Sequence, residues 1–195
     1  MHIQWNPATD EVEVVNYSAG THKGLEAKVQ VLNMDASVAW EKTATVDSNE
    51  DTTEKCIRLS FPASLSKVHF IKMTLTENGK VISDNFYHRS LEENNYQDLR
   101  QLPKVALQST VEVTKGTDGR WQSKVTVKNP SDTPALMIRL NLVGEQDGIQ
   151  ILPALYSDNY FALLPGEEKE VQISWKDEDT RGEKGRVLIT GYNVE

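Results

Sequence analysis

The chain has 195 residues, of which 26% are charged, and its formal net charge is −8 at pH 7. This is the composition of a globular protein of one or two domains. A nucleic-acid-binding protein needs clustered lysine and arginine, so the acidic balance argues against nucleic acid as a partner. No run approaches the 18 or so consecutive apolar residues of a membrane span, so no membrane contact is expected. The single cysteine, Cys56, excludes an internal disulfide and a multi-cysteine metal cluster.

The first strand-like segment begins at the second residue, where His2-Ile3-Gln4-Trp5 follows Met1 directly. The basic and apolar regions of a signal peptide are missing from this stretch. An immediate start of this kind is typical of a piece cut from a longer chain at a domain boundary. We therefore expect this chain to be such a piece.

Apolar residues in the first half recur with a period of two, which predicts β-strands. The polarity pattern places strands around Val12–Val14, Leu25–Val31, Val38–Trp40, Ile57–Phe61, Val68–Thr76 and Val81–Tyr87. The dipeptide Asn78-Gly79 separates the last two runs, and this pair of residues is a strong hairpin signal. A polar stretch follows and ends before Pro103. It shows only weak helical spacing, and we interpret it as a linker.

The second half shows the same alternation. Its predicted inward positions are Val105, Leu107, Val111 and Val113; Trp121, Val125 and Val127; Leu136, Ile138, Leu140 and Leu142; Val171, Ile173 and Trp175. Ile149 and Ile151 form a further short run. A nearly continuous apolar run at 186–192 closes the chain, and Pro- and Gly-containing turns separate the segments. Six or seven strands in about 90 residues are typical of an antiparallel sandwich. We predict an all-β protein of two tandem antiparallel β-sandwiches, residues 1–98 and 99–195.

The two halves also share a short sequence pattern. Val12-Glu13-Val14-Val15-Asn16 and Val125-Thr126-Val127-Lys128-Asn129 both end a strand in asparagine. A serine follows two positions later in each case, at Ser18 and Ser131, and a Leu-rich strand comes next. This correspondence predicts a tandem repeat of one module.

Tryptophans are candidates for a sugar-binding platform, because aromatic rings stack on sugar rings. Trp121 and Trp175 are in phase with the apolar positions of their strands, Trp5 is in phase with Ile3, and Trp40 with Val38. All four are therefore predicted to pack in the core rather than to bind ligand.

Paired carboxylates would suit glycoside hydrolysis, which needs two acids held across one bond. The sequence offers Glu92-Glu93, Glu167-Glu168 and Asp177-Glu178-Asp179. All of them lie in polar, loop-like stretches, where adjacent side chains project in different directions. We predict solvated loop charges rather than a catalytic pair.

A calcium loop is suggested by oxygen-bearing residues at alternate positions of Asp47-Ser48-Asn49-Glu50-Asp51. Thr52 replaces the required glycine and Arg58 the bidentate glutamate, which excludes an EF-hand, although a looser cation site stays open. The triplet Asn16-Tyr17-Ser18 matches the N-glycosylation sequon, which matters only if a eukaryote secretes the protein.

The histidines and the cysteine do not indicate a functional site either. The four histidines, His2, His22, His69 and His88, lack the spacing of metal ligands. Cys56 is out of phase with Ile57 and has no histidine partner, so we predict an inert strand residue. A nucleophile elbow and a phosphate loop are absent from the sequence. We expect no catalytic, cofactor-binding or metal-binding residues.

The chain resembles the C-terminal immunoglobulin-like domains of glycoside hydrolase family 2 enzymes, in the branch of exo-β-glucosaminidases and mannosylglycoprotein endo-β-mannosidases. The residues that carry the resemblance lie in order along nearly the whole chain: Val12–Asn16, Val31–Asp35, Val81–Tyr87, Leu99–Leu107, Ser157–Glu167 and Thr190–Val194. The sequence departs from the family pattern at His88, where tryptophan usually stands, and in a shorter stretch before Leu99.

The resemblance implies a non-catalytic accessory region. In such enzymes the catalytic glutamates lie on a (β/α)₈ barrel that precedes these domains, and this chain has no room for a barrel of about 250 residues. The implied partners are that barrel and the other domains of the parent glycosidase, with sugar contact at most peripheral and no cofactor. Bacterial members are commonly exported, which implies a periplasmic or secreted parent enzyme. A carbohydrate-binding module and a bacterial adhesion or scaffold protein are the alternatives.

Residues of the family-like motif near position 160 also have a local role. Leu164-Pro165-Gly166-Glu167 predicts a type II turn, because Pro fixes φ at the second position and Gly accepts a positive φ at the third. Asp158 and Asn159 are predicted to bond nearby backbone groups at the strand end. A rim loop that reaches into the catalytic cleft of the parent enzyme is the alternative role for this motif.

Overall fold

The computed structural model describes residues 1–195, and they divide into two compact units, Met1–Gln101 and Leu102–Glu195. The chain forms fourteen β-strands and two 3-10 helices. The strands are β1 His2–Asn6, β2 Glu11–Asn16, β3 His22–Asn33, β4 Val38–Ser48, β5 Thr52–Arg58, β6 Val68–Glu77, β7 Lys80–Ser90, β8 Gln108–Lys115, β9 Arg120–Lys128, β10 Ala135–Gly144, β11 Ala154–Tyr156, β12 Phe161–Leu163, β13 Glu168–Lys176 and β14 Gly185–Thr190. The helices, Gln97–Gln101 and Asp177–Thr180, are far too short to cross a membrane.

The first unit is a sandwich of two antiparallel sheets. One sheet has the strand order β1-β2-β5 and the other β4-β3-β6-β7. Side chains from both sheets meet in a single apolar core, because alternate residues of each strand face the opposing sheet. Fully buried members of this core include Ile3, Val12, Val14, Leu25, Val29, Ile71 and Met73.

The second unit repeats this arrangement with a different distribution of strands. Its sheets have the orders β12-β10-β14 and β11-β13-β9-β8, and all pairings are antiparallel. The core again draws on both sheets, with Val125, Val127, Val171 and Ile173 from one and Ile138, Leu140 and Leu142 from the other. The predicted all-β class and the antiparallel sandwiches are confirmed.

Two predicted turns are present with the expected geometry. Asn78 and Gly79 have φ values of 51° and 77° and join β6 to β7, which is the left-handed pair that a two-residue hairpin needs. At the second turn, Gly166 has φ 79°, and the Glu167 backbone N–H donates to the Leu164 carbonyl at 3.0 Å. The type II turn is therefore confirmed.

The prediction for strand β8 is wrong in one respect. Val111 and Val113 lie on the core side of their sheet, opposite Val125 and Ser123 of β9, yet they are 44% and 45% exposed. Since β8 is the edge strand of a four-stranded sheet and the opposing sheet has only three strands, this side of β8 stays uncovered. Ile149, which the sequence pattern groups with Ile151, lies exposed in the loop after β10.

Candidate functional site

The tryptophans do not form a ligand platform. Trp5 and Trp175 are buried, as predicted, with 9% and 2% of their surfaces exposed. Trp121 is half-buried and stacks on Trp175 with a 6.4 Å centroid distance, and Trp40 is half-buried against the core of the first unit. The Trp121 Nε1–H donates to Asp177 at 2.6 Å, which fixes the ring at the end of its strand. Sugar stacking needs an open ring face, and these contacts occupy the rings instead.

Members of all three acidic runs engage their own surroundings. Glu92 is ion-paired with Lys67 at 2.8 Å, and Asp177 with Lys115 at 2.8 Å, and these contacts lower the pKa of both carboxyls. Glu167 accepts the Leu164 backbone N–H at 3.0 Å within the turn. General acid catalysis calls for a carboxyl whose pKa is raised, and the shifts here run the opposite way.

The Asp47–Asp51 segment forms the connection between β4 and β5. Asp47 accepts the Gly24 backbone N–H at 2.8 Å, and Glu50 accepts that of Gly20 at 3.0 Å. These carboxylates organise neighbouring loops and do not converge on a common point. A cluster of three or more His, Cys, Asp or Glu side chains placed to hold a metal ion does not occur in the structure.

The histidines are dispersed. His22 Nδ1 lies 2.7 Å from Glu77, and His2 is exposed beside Asn85. His69 is 1% exposed, and His88 packs against the rings of Phe70 and Phe86 with centroid distances of 5.5 Å. The Nε2 atoms of His69 and His88 have no hydrogen-bond partner, and burial lowers the pKa of both rings.

Cys56 is the extra residue of a β-bulge, a feature that strict alternation does not anticipate. Val12 pairs with Ile57 and Glu13 with Lys55, so Cys56 stands between two consecutive pairings. Its side chain packs against the core, and its Sγ donates to the Val12 carbonyl at 3.3 Å. Burial raises the pKa of the thiol to about 11.

The two asparagines of the repeated pattern make equivalent hydrogen bonds in their two sandwiches. Asn16 and Asn129 are both fully buried, and each accepts the backbone N–H of the serine two residues later, at 2.9 and 3.1 Å. Each also donates its amide to the carbonyl four residues later, Gly20 or Thr133. The Asn16 amide is therefore bonded and enclosed, which makes it unsuitable as a glycan acceptor despite the sequon.

Residues of the family-like motif have structural contacts. The Asn159 side chain accepts the Leu140 N–H at 2.9 Å and donates to the Leu140 carbonyl at 3.0 Å, so it bonds a strand distant in sequence. Asp158 accepts the N–H of Asn159 at 2.7 Å, which is the local bond predicted for it. Near the C-terminus, Asn193 is 2% exposed and bonds Leu136, Pro103 and Pro134.

The sequence reasoning missed a groove of about 490 Å³ on the outer face of the sheet β11-β13-β9-β8. Two adjacent rows of side chains run across the strands and line it. One row is Thr114, Gln122, Ser174 and Leu155, and the other is Glu112, Lys124, Gln172 and Ser157. We call this feature the outer-face groove. Alternation places Glu112, Thr114, Gln122 and Lys124 opposite the apolar positions of their strands, but only the strand order brings the two rows side by side.

Comparison with known proteins agrees with this architecture. Residues 85–194 match the model of the exo-β-D-glucosaminidase Ig-fold domain, and residues 10–90 match that of the mannosidase Ig/CBM-like domain. The two units are thus immunoglobulin-like β-sandwiches. The chain belongs to the family of exo-β-D-glucosaminidase Ig-fold domains, as the resemblance in its sequence implied.

Individual relatives show the same relationship. The chain is 30% identical to an exo-β-D-glucosaminidase of Streptomyces avermitilis over 100% of its own length and 24% of that protein. The crystal structure of an exo-chitosanase of Amycolatopsis orientalis superposes on 99% of the chain with a TM-score of 0.92 and 26% identity, over 25% of that enzyme. A mannosylglycoprotein endo-β-mannosidase of Lilium longiflorum is 45% identical over 49 residues, 25% of this chain and 5% of that protein. The chain therefore spans about a quarter of the length of its glucosaminidase relatives.

Proposed function

We propose that this chain is the accessory region of a glycoside hydrolase and supports a catalytic barrel by packing on it. The observation that carries the proposal is the match of the whole chain to one contiguous quarter of exo-β-D-glucosaminidases. The proposal is supported by the contacts of Glu92, Glu167 and Asp177, since each of these carboxylates pairs with a neighbouring lysine or backbone group. We propose that the chain contains no catalytic, cofactor-binding or metal-binding residues and that its two sandwiches, divided near residue 98, are separate domains.

The proposed activity of the parent enzyme is release of β-linked glucosamine. Matches to glucosaminidases over the whole of this chain favour this substrate. A β-mannosidase is the second candidate, favoured by the family match of residues 10–90 and by the local similarity to the lily enzyme.

Two experiments test this function. The gene that encodes the chain is expected to continue upstream, in the same reading frame, into a barrel of alternating strands and helices. The purified 195-residue chain is expected to release no nitrophenol from nitrophenyl β-glucosaminide or β-mannoside. Turnover by the purified chain, or an upstream frame without a barrel, would refute the proposal.

A further inference from the structure

We propose that the outer-face groove binds a short oligomer of a protonated amino sugar. The choice of ligand rests in part on the proposed function, which supplies the amino-sugar class. The hydrogen-bonding groups, the charge and the shape of the groove suit such a ligand.

The first row of the groove offers hydrogen-bonding groups that the protein does not use. Thr114 pairs with Gln122 and Gln122 with Ser174 across three neighbouring strands. The hydroxyl and amide groups of these side chains make no hydrogen bond within the protein, and Thr114 and Gln122 are exposed. An amide presents a donor beside an acceptor, and a hydroxyl can act as either, which suits the adjacent hydroxyl groups of a sugar.

The second row supplies a negative charge with no ion-pair partner. Lys124 lies beside Glu112 in the sheet, but its ammonium is held by Glu170 at 2.7 Å. The Glu112 carboxylate has no hydrogen bond and no cationic group within 4 Å, although the more distant Lys124 ammonium also attracts it. A ligand ammonium can therefore pair with it directly. The net charge of −8 adds a long-range attraction for cationic ligands.

The shape of the groove fits an extended ligand. Neighbouring strands lie about 4.8 Å apart, so a row across four strands is about 14 Å long, enough for a short oligosaccharide. Leu155 lies at one end of the first row and is 65% exposed, which offers an apolar contact to the C–H groups of a sugar. The two rows are bordered by Arg120 and Lys176 on one side and by the row of Thr110, Thr126 and Glu170 on the other.

The outer face of the first unit provides a contrast. There the Gln30 amide donates to Glu41 at 2.7 Å, and Glu41 is also ion-paired with Lys28 at 2.9 Å. These three side chains are therefore satisfied internally, whereas Glu26 and its strand neighbours Thr45 and Thr76 on the same face make no hydrogen bond or ion pair. In the second unit such groups line a groove of about 490 Å³.

The test is a titration of the ¹⁵N-labelled 195-residue chain with the glucosamine hexamer, followed by two-dimensional NMR at pH 6. We expect saturable binding with a Kd of about 1 mM or tighter. The shifted resonances should be confined to β8, β9, β11 and β13. Glu112→Gln and Gln122→Ala should each weaken binding at least about five-fold. The matched control is Glu26→Gln, which alters an exposed strand glutamate of the first unit and should leave the Kd unchanged.

Two further ligands separate sugar recognition from simple charge attraction. The fully N-acetylated hexamer lacks the positive charges and should bind more weakly than the glucosamine hexamer. Spermidine has charges without hydroxyl groups and should not displace the hexamer at equal concentration. Absence of saturable shifts, an unchanged Kd in Glu112→Gln, or displacement by spermidine would overturn the proposal. Any of these results would leave the accessory function intact, because the reading-frame and hydrolysis experiments test that separately.

Discussion

Asn129 makes in the second unit the same set of contacts that Asn16 makes in the first. Each closes a loop to the serine two residues later and to the carbonyl four residues later, and each reaches a distant backbone carbonyl, Leu163 for Asn129 and Asn49 for Asn16. Because both side chains are fully buried, the contacts replace all hydration of the amides. The correspondence explains why the repeated sequence pattern ends in asparagine.

Replacing Asn129 is expected to destabilise the second unit strongly. In Asn129→Ala the Leu163 carbonyl loses the amide donor and the Ser131 N–H loses its acceptor, and buried polar groups without partners cost about 1–3 kcal/mol each. We expect the free energy of unfolding to fall by about 2–4 kcal/mol, measured by urea denaturation. Asp132→Asn, an exposed change in the same loop, should cost less than about 0.5 kcal/mol. Equal effects of the two variants would contradict the role assigned to Asn129.

Stability is expected to depend on pH through His69 and His88. Burial lowers the pKa of both rings in the folded protein, so the unfolded chain binds more protons as the pH falls below about 6.5. The free energy of unfolding should therefore decrease from pH 7 towards pH 5, by no more than about 1.4 kcal/mol per pH unit for each histidine.

Replacement of a histidine tests this assignment. His88→Phe keeps an aromatic ring between Phe70 and Phe86 and should reduce the slope of stability against pH. His2→Gln, at an exposed site, should leave the slope unchanged. Urea denaturation at several pH values provides the measurement, and a slope that is the same in wild type and His88→Phe would show that His88 does not contribute.

The Cys56 thiol is expected to be unreactive in the folded protein. Its pKa of about 11 leaves very little thiolate at pH 8, and its side chain is packed in a bulge against the core. Reaction with a disulfide reagent should be at least about a hundred-fold slower in buffer than in denaturant, and the rate should follow the unfolding curve. Rapid labelling of the native chain would contradict this description of the site.

The turn before β13 is expected to require glycine. Gly166 has a φ of 79°, where a side chain costs about 1–2 kcal/mol, so Gly166→Ala should lower the free energy of unfolding by about that amount. The reason is conformational, since a Cβ at this position would meet no atom within 4 Å. Gly116→Ala is the contrast: there φ is not positive, and the added Cβ would instead meet the flexible Asp118 side chain. Thermal denaturation of both variants makes the comparison.

Local sequence rules determined much of this fold. Alternation with a period of two identified the strands, and the Asn78-Gly79 and Pro165-Gly166 dipeptides determined their turns, because these features depend on backbone geometry over a few residues. The burial of Trp5 and Trp175 followed from the same rule. The repeated asparagine pattern indicated two modules.

Only the tertiary structure decided which neighbours each strand has. Alternation assigns a side chain to a face, but it does not show whether another sheet covers that face, so it failed for Val111 and Val113 on the edge strand β8. It also could not place Cys56, because a bulge shifts the phase within a strand. The outer-face groove depends on the order β11-β13-β9-β8, which brings together residues separated by up to about 60 positions in the chain. Strand order arises from long-range packing of the whole unit, and a local pattern does not contain that information.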